Sequence, residues 1–329
     1  MTTSVPPAAY EIARRHRVPA EQVVPLPVGV ANHVVALGDR LVLRVPRAPE
    51  FEADLRKESA LVPVVHGAGV STPALVEYAD PPGGVPHMLI ERLPGTDMAD
   101  RAPAPKTLIR LGRELARIHR IPVVSLPELP HDDSDQNDHA PLVERLHRLG
   151  HIDAEAARWL HTWGEQLSGE LPETVAPTLV HGDLAPQNLL MSPGGALTGI
   201  VDWGDAALAD PATDFAKLPP WWLPPVLEGY RHERGEGTGH PWEARVLWYH
   251  LTWALGRLDD PVPSPGARHW TAPPSSRLLG LLRLFSSSPP APWAALAPRP
   301  WPPMEHGPKI SRHLSCRDQL PYRERTPAD

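Results

Sequence analysis

The sequence predicts an α+β fold in two lobes, an N-terminal antiparallel β-sheet lobe with one helix and a mainly helical C-terminal lobe. Three observations predict it. Over the first ninety-odd residues, short β-branched runs alternate with turn residues. Beyond about Gly95 the apolar residues recur at three- and four-residue spacing instead. A chain of 329 residues also exceeds the roughly 250 to 300 that one hydrophobic core usually serves.

Taken in order, VVPLPV (23–28), NHVVAL (32–37) and LVLRVP (41–46) read as a strand meander punctuated by Gly29 and the pair Gly38-Asp39. A helix is expected after Pro49, where Phe51, Leu55, Glu58, Val62 and Val65 fall at spacings of four, three, four and three. That places the carboxylate of Glu58 in the middle of a core-facing stripe, where it needs a partner. Pro63 should kink or end this helix just beyond Glu58. Strands follow at ALVEYA (74–79) and HMLIER (87–92), and Leu93-Pro94-Gly95 breaks the pattern. In the second lobe, TLIRLGRELARIH (107–119) aligns Leu108, Leu111, Leu115 and Ile118. A further helix is expected over 153–167 with Asp153 as N-cap, and 242–258 is apolar on nearly every face, as in a buried helix. The expected divisions are a nucleotide-binding lobe over 1–94, a catalytic and substrate lobe over 95–285, and a Pro-rich, largely disordered tail over 286–329.

Composition excludes several function classes. The net charge of −7 comes from mixed-sign segments, with no Lys/Arg block interleaved with aromatics of the kind that binds nucleic acid. The one cysteine, Cys316, allows neither a disulfide framework nor a cysteine metal site, and a reducing cytoplasm is the expected location. No leader-like apolar segment and no run of 18 or so apolar residues is present, so neither secretion nor a membrane partner is expected. A monomer or weak dimer is expected.

The chemistry concentrates in HGDLAPQN (181–188), a polar loop between the apolar runs TLV (178–180) and LLM (189–191). Leu189–Met191 and Leu197–Val201 are joined by Ser192-Pro193-Gly194-Gly195 and should form a hairpin centred on residue 195. Such a hairpin brings Asn188 and Asp202 together at its open end, beside Asp183. A carboxylate with an amide oxygen, and no His or Cys cluster, suits a hard cation such as Mg²⁺ that keeps water and substrate phosphates as its other ligands. Asp183 is then free to orient a hydroxyl. The plain alternative is a polar loop with Asp and Asn as turn residues.

Together, HGDLAPQNLL, IVDWGD and DPATDF resemble the catalytic core of the aminoglycoside phosphotransferase family, which has a protein-kinase-like fold; the resemblance covers about residues 20–255. It implies that Asp183 is the catalytic base, that Asn188 and Asp202 hold Mg²⁺, and that His181 supports the loop. It also implies ATP or GTP as co-substrate and a small-molecule alcohol as acceptor. Asp214 resembles an aspartate that braces the catalytic loop; an N-cap is the plain alternative. Arg44 aligns with the usual nucleotide lysine of the third strand, a departure from the commoner pattern, and would pair with Glu58. Gly29, Val30, Ala31 and Asn32 fall where the phosphate-covering loop lies, and Glu91 and Leu93 where a hinge meets the purine, with a simple turn and an ordinary strand end as the rival readings.

The acceptor is less legible. Residues 215–260 carry Phe215, Trp221, Trp222, Tyr230, Trp242, Trp248, Tyr249 and Trp253. Aromatics at helical spacing are more often core than ligand contacts, yet such a wall would suit a large, partly apolar alcohol. Glu228, Glu233, Glu236, Asp259 and Asp260 could instead attract a polycation, or be solvated surface. Aromatic walls, with ADPATDF and VLRVPR, resemble the macrolide phosphotransferase branch and favour a macrolide over an aminoglycoside. The competing expectation is a silent nucleotide-binding protein or a tail-damaged enzyme, since the sequence from about 298 does not resemble the family.

Overall fold

Five antiparallel strands form the first sheet of the computed structural model, which describes residues 5–26, 31–132, 138–236, 242–260 and 274–299. They are β1 (Val23–Pro25), β2 (Asn32–Leu37), β3 (Leu41–Pro46), β4 (Leu75–Ala79) and β5 (His87–Glu91), in the order β1-β2-β3-β5-β4. Alternation along β2 and β3 is matched by register: Val35 faces Leu43 and Val34 faces Arg44. Helix α1 (Pro7–Arg15) was not expected from the sequence. It packs Ala9, Ile12 and Ala13 against Val23, Val35, Leu43 and Val45 of the sheet. Helix α2 (Glu52–Gly67) contributes Leu55, which clusters with Met88 and Ile90.

Of the expectation that Pro63 kinks or ends the helix just beyond Glu58, the ending is corrected: α2 continues through Pro63 to Gly67. A proline removes one backbone donor. Burial of Leu61, Val62 and Val65 around it offsets that loss.

The second lobe is built on α3 (Pro105–Ile118), whose Leu108, Leu111, Leu115 and Ile118 are all buried as their spacing requires. Against it lies α6 (Leu223–Arg234), following α4 (His139–Arg148) and α5 (Ala154–Ser168), the latter capped by Asp153 accepting from the Ala156 amide. The approach of α3 to α6 depends on Gly112, where a Cβ would sit 1.9 Å from the Val226 carbonyl oxygen. Helix α7 (Trp242–Gly256) is buried along most of its length, as its apolar faces predict. Two more helices follow, α8 (Pro274–Ser286) and α9 (Ala291–Ala294). Trp293 is buried and Trp163 Nε1 donates to the Leu296 carbonyl at 3.1 Å, so the expected disordered tail does not begin at 286. These elements all belong to the compact unit Met1–Ala297. The expected tail beyond Arg299 lies outside the described residues.

Two small sheets carry the site. Strand β7 (Thr178–Val180) pairs with β10 (Ala207–Ala209), while β6 (Thr96–Asp97), β8 (Leu189–Met191) and β9 (Leu197–Ile200) form a second sheet. The HGDLAPQN segment therefore leaves one sheet and enters another. Its backbone must cross a gap where no ladder can satisfy it, which is why side chains do so.

Candidate active site

The expected hairpin forms, but its register differs by one residue. Leu189 faces Ile200, and the Val201 amide donates to the Asn188 carbonyl at 3.0 Å. The turn sets Met191 opposite Leu197, two residues from the expected register, and an irregularity between Leu190 and Met191 recovers one of them. Asp202 thus reaches the site by its own left-handed conformation, φ 73°, and not by standing opposite Asn188. Aspartate tolerates that region better than most residues.

The loop itself is held from both sides. Gly182, at φ 77°, is needed because a Cβ there would lie 2.1 Å from the Asp205 carbonyl oxygen. The amides of His181 and Gly182 donate to the two carboxylate oxygens of Asp214 at 2.9 and 3.0 Å, and His119 Nε2 donates to Oδ2 at 3.0 Å. Asp214 is therefore the brace; the N-cap of its 3₁₀ turn is Asp210, which accepts from the Ala212 amide. Burial pushes the Asp214 carboxyl up, but the His119 hydrogen bond and the loop amides bring it below the usual carboxylate range.

His181 is fully buried, donates from Nε2 to the Val201 carbonyl at 3.0 Å and accepts at Nδ1 from the Asp183 amide at 3.3 Å. It is absent from the cavity wall, so its place is support of the loop. Asp183 does face the cavity. Its Oδ2 accepts from Asn188 Nδ2 at 2.9 Å, and its Oδ1 accepts from Lys217 Nζ at 2.7 Å. Lys217 was not singled out from the sequence. Its signal was a lone cation in the apolar stretch FAKLPPWWL, three residues beyond Asp214.

Arg44 lies between two carboxylates, donating from Nη1 to Glu58 and from Nη2 to Asp202. The expected Arg44–Glu58 pair is thus present, and Glu58 also accepts from the Trp203 amide at 3.1 Å. Burial drives the Glu58 carboxyl up to about 7 against the pull of Arg44. Burial opposes ionisation of Asp202 too, but the Arg44 charge and hydrogen bond hold it below its usual range. The asymmetry follows from one guanidinium serving two acids, with Asp202 open to the cavity and Glu58 in the dry position.

A cavity of about 690 Å³ unites these groups. Asp183, Asn188, Asp202, Arg44 and Glu58 line it, and so do Ala31, Asn32, Glu91 and Leu93. The amide of Glu91 is already bonded to the Ala74 carbonyl at 2.9 Å. The expected contributions of Gly29 and Val30 lie outside the described residues. Among the described residues no cluster of three His, Cys, Asp or Glu side chains forms a metal cage. One carboxylate and one amide nevertheless fit a cation that draws its remaining ligands from phosphate and water. The Asn188 amide nitrogen points to Asp183, leaving its oxygen for that purpose.

The acceptor end differs from expectation. Phe215, Trp222, Tyr230 and Trp242 are core residues, Trp248 stacks on His139 at 3.8 Å, and Trp221 is exposed. Of the eight aromatics, Trp253 lines the cavity. None of the five candidate acids does. Glu233 pairs with Arg117, Glu236 with Arg234, Asp259 with Arg145 and Asp260 with Arg257. No described helix is long and apolar enough to cross a membrane.

Comparison with known proteins places this geometry among relatives. The model of the phosphotransferase enzyme family (APH) matches residues 22–249. An aminoglycoside 3'-phosphotransferase of Streptomyces fradiae is 31% identical over 209 residues, covering 58% of this chain and 76% of the relative. Among solved structures, the GDP complex of wild-type aminoglycoside 2'-phosphotransferase-IIIa aligns with TM-score 0.57 and 21% identity, over 83% of this chain and 96% of that one. A macrolide 2'-phosphotransferase from Brachybacterium faecium aligns with TM-score 0.58 and 19% identity, over 91% and 99% of the two chains. At these identities the solved structures establish the shared fold.

Proposed function

Since this chain belongs to the phosphotransferase enzyme family, and is a small-molecule phosphotransferase, we propose that it moves the γ-phosphate of ATP or GTP to a hydroxyl of a small-molecule acceptor. The observation that carries this reading is the meeting of Asp183, Asn188 and Asp202 on one cavity wall with Arg44 and Glu58. Asp183 is the base: its carboxylate is fixed by Asn188 and Lys217 and accepts the acceptor's proton. Arg44, freed from Asp202, turns its planar fork toward phosphate while Glu58 keeps it in place. Asn188 and Asp202 are the residues that would hold Mg²⁺, which when bound supplies positive charge to the phosphate oxygens. The sheet lobe, including Ala31 and Asn32, covers the nucleotide, with Glu91 and Leu93 at the purine end. On this reading residues up to 94 form the nucleotide lobe and those beyond it the acceptor lobe.

For the acceptor we favour a bulky, mostly apolar alcohol of the macrolide type. Support comes from Trp253, Lys217 and Arg257 on the cavity wall and from the pairing of four of the candidate acids with arginines elsewhere. Asp54, Glu91, Asp97 and Asp205, which also line the cavity, are the acids a polycation would meet. The 31% identical relative, an aminoglycoside 3'-phosphotransferase, favours the aminoglycoside as second reading.

The test is phosphate transfer, read by mass, to macrolides, aminoglycosides and simple amino-alcohols with Mg²⁺ and either nucleotide. Asp183→Asn should abolish turnover with nucleotide affinity nearly unchanged, and Asp202→Asn should weaken Mg²⁺-nucleotide binding too. Trp253→Ala should lower kcat/KM for the preferred macrolide. Near wild-type transfer by both aspartate variants would overturn the reading. Preference for aminoglycosides, lost at high salt, would replace the macrolide.

A further inference from the structure

Lys217 stands where a fold alone has no need of a cation. The residues around it, Phe215, Ala216, Leu218 and Trp222, are buried apolar groups, yet its own side chain is 22% exposed toward the cavity that holds Asp183 and Asp205. Its Nζ donates to Asp183 Oδ1 at 2.7 Å and to the Gly182 carbonyl at 2.8 Å. The loop is already braced through its amides by Asp214, and acceptors facing a wet cavity can be satisfied by water. Ordering a lysine costs rotamer entropy that a purely packing role would not recover. Two other cations nearby are committed elsewhere: Arg257 to Asp260 at 2.6 Å, and Arg277 to the Trp253 ring at 3.8 Å and the Ala216 carbonyl at 3.2 Å. Arg44 serves the Asp202 side of the cavity, and Lys217 is the ammonium on the Asp183 side.

We propose that Lys217 is a further catalytic residue of the transfer, one that rests on the phosphotransferase reading above. Its ammonium holds Asp183 toward the incoming hydroxyl and donates a remaining hydrogen to a non-bridging oxygen of the moving phosphoryl group. In that step the acceptor oxygen bonds to the γ-phosphorus while the bond from phosphorus to the β–γ bridging oxygen breaks. The electron pair leaves with the nucleoside diphosphate, and the acceptor's proton passes to Asp183. Lys217 keeps all three hydrogens and balances charge that develops on the equatorial oxygens.

The experiment uses the full chain with Mg²⁺ and γ-labelled ATP or GTP, following phosphate release to water and to the best acceptor of the panel. Wild type is compared with Lys217→Ala, Lys217→Met and Lys217→Arg, each with and without added methylammonium or ethylammonium. Lys217→Ala and Lys217→Met should lower kcat about 10²- to 10³-fold, with nucleotide KM held within about threefold. Lys217→Arg should lose less, and the small amines should partly restore Lys217→Ala in a saturable way with its thermal midpoint unmoved. A merely structural lysine would give neither the kcat-only loss nor the rescue. Active wild type with Lys217→Met within about threefold of it, or a loss that no amine relieves and that tracks the thermal midpoint, overturns this assignment alone. A wild type that transfers phosphate to nothing, water included, overturns the phosphotransferase reading and this one with it.

Discussion

Glu58→Gln should change sign with its background. The side chains of Arg44, Glu58 and Asp202 are 8%, 2% and 36% exposed, and one guanidinium bridges the two acids. Arg44→Met leaves a dry carboxylate and a half-dry one without their cation, and removal of one partner from a buried pair costs about 3 to 5 kcal/mol. Glu58→Gln is milder. Its carboxyl is already pushed up to about 7 by burial, Arg44 retains Asp202, and a glutamine oxygen still accepts from the Trp203 amide, so the loss should stay under about 1 kcal/mol. In the Arg44→Met background the same change removes a stranded acid and should raise stability, giving a coupling of at least about 1 kcal/mol. The assay is urea unfolding of the four proteins at about pH 8 without nucleotide, comparing midpoints at constant m. Strict additivity, or equal losses from the two single variants, would refute the shared guanidinium.

Asp214→Asn should lower stability by about 1.5 to 3 kcal/mol, the worth of hydrogen bonds to a charged group, and lower kcat by loosening the 181–183 loop. Because the Asp214 carboxyl is held low, its contribution is present above its unfolded value and disappears as pH falls through the folded one; the variant should show a flatter acid side in a pH–stability profile. His139 and His250 are both lowered to about 4, chiefly by burial. Unfolding therefore takes up protons between about 4 and 6.5, and stability should drop on acidification across that window by up to about 1.4 kcal/mol per pH unit for each histidine. His250→Gln should reduce that slope, and denaturant midpoints that stay flat over the window would contradict it.

Much of the site was legible because its signals are local. The order of HGDLAPQN, the turn at 192–195 and IVDWGD places three oxygen-bearing side chains within one hairpin's length. Periodicity alone put Glu58 on a buried stripe, and a buried carboxylate demands a cation, which Arg44 supplies. The helices α3, α5 and α7 were likewise written in their apolar spacing and in one cap, Asp153.

What only the tertiary structure decided depends on contacts far apart in the chain. Whether an aromatic is wall or core is set by which neighbours cover it, so Phe215, Tyr230 and Trp242 went to the core while Trp253 went to the cavity. Acids that looked like a recognition set found arginines as distant as Arg117 for Glu233 and Arg145 for Asp259. The one-residue register offset is what remains after an irregularity between Leu190 and Met191 recovers one of the two residues lost at the turn, and the persistence of α2 through Pro63 came from packing that outweighs one missing donor. Lys217 shows the limit most clearly. Its meaning lies in a carboxylate 34 positions back along the chain, reached because the turn that sets Asp214 under the loop also carries the lysine round to its other side.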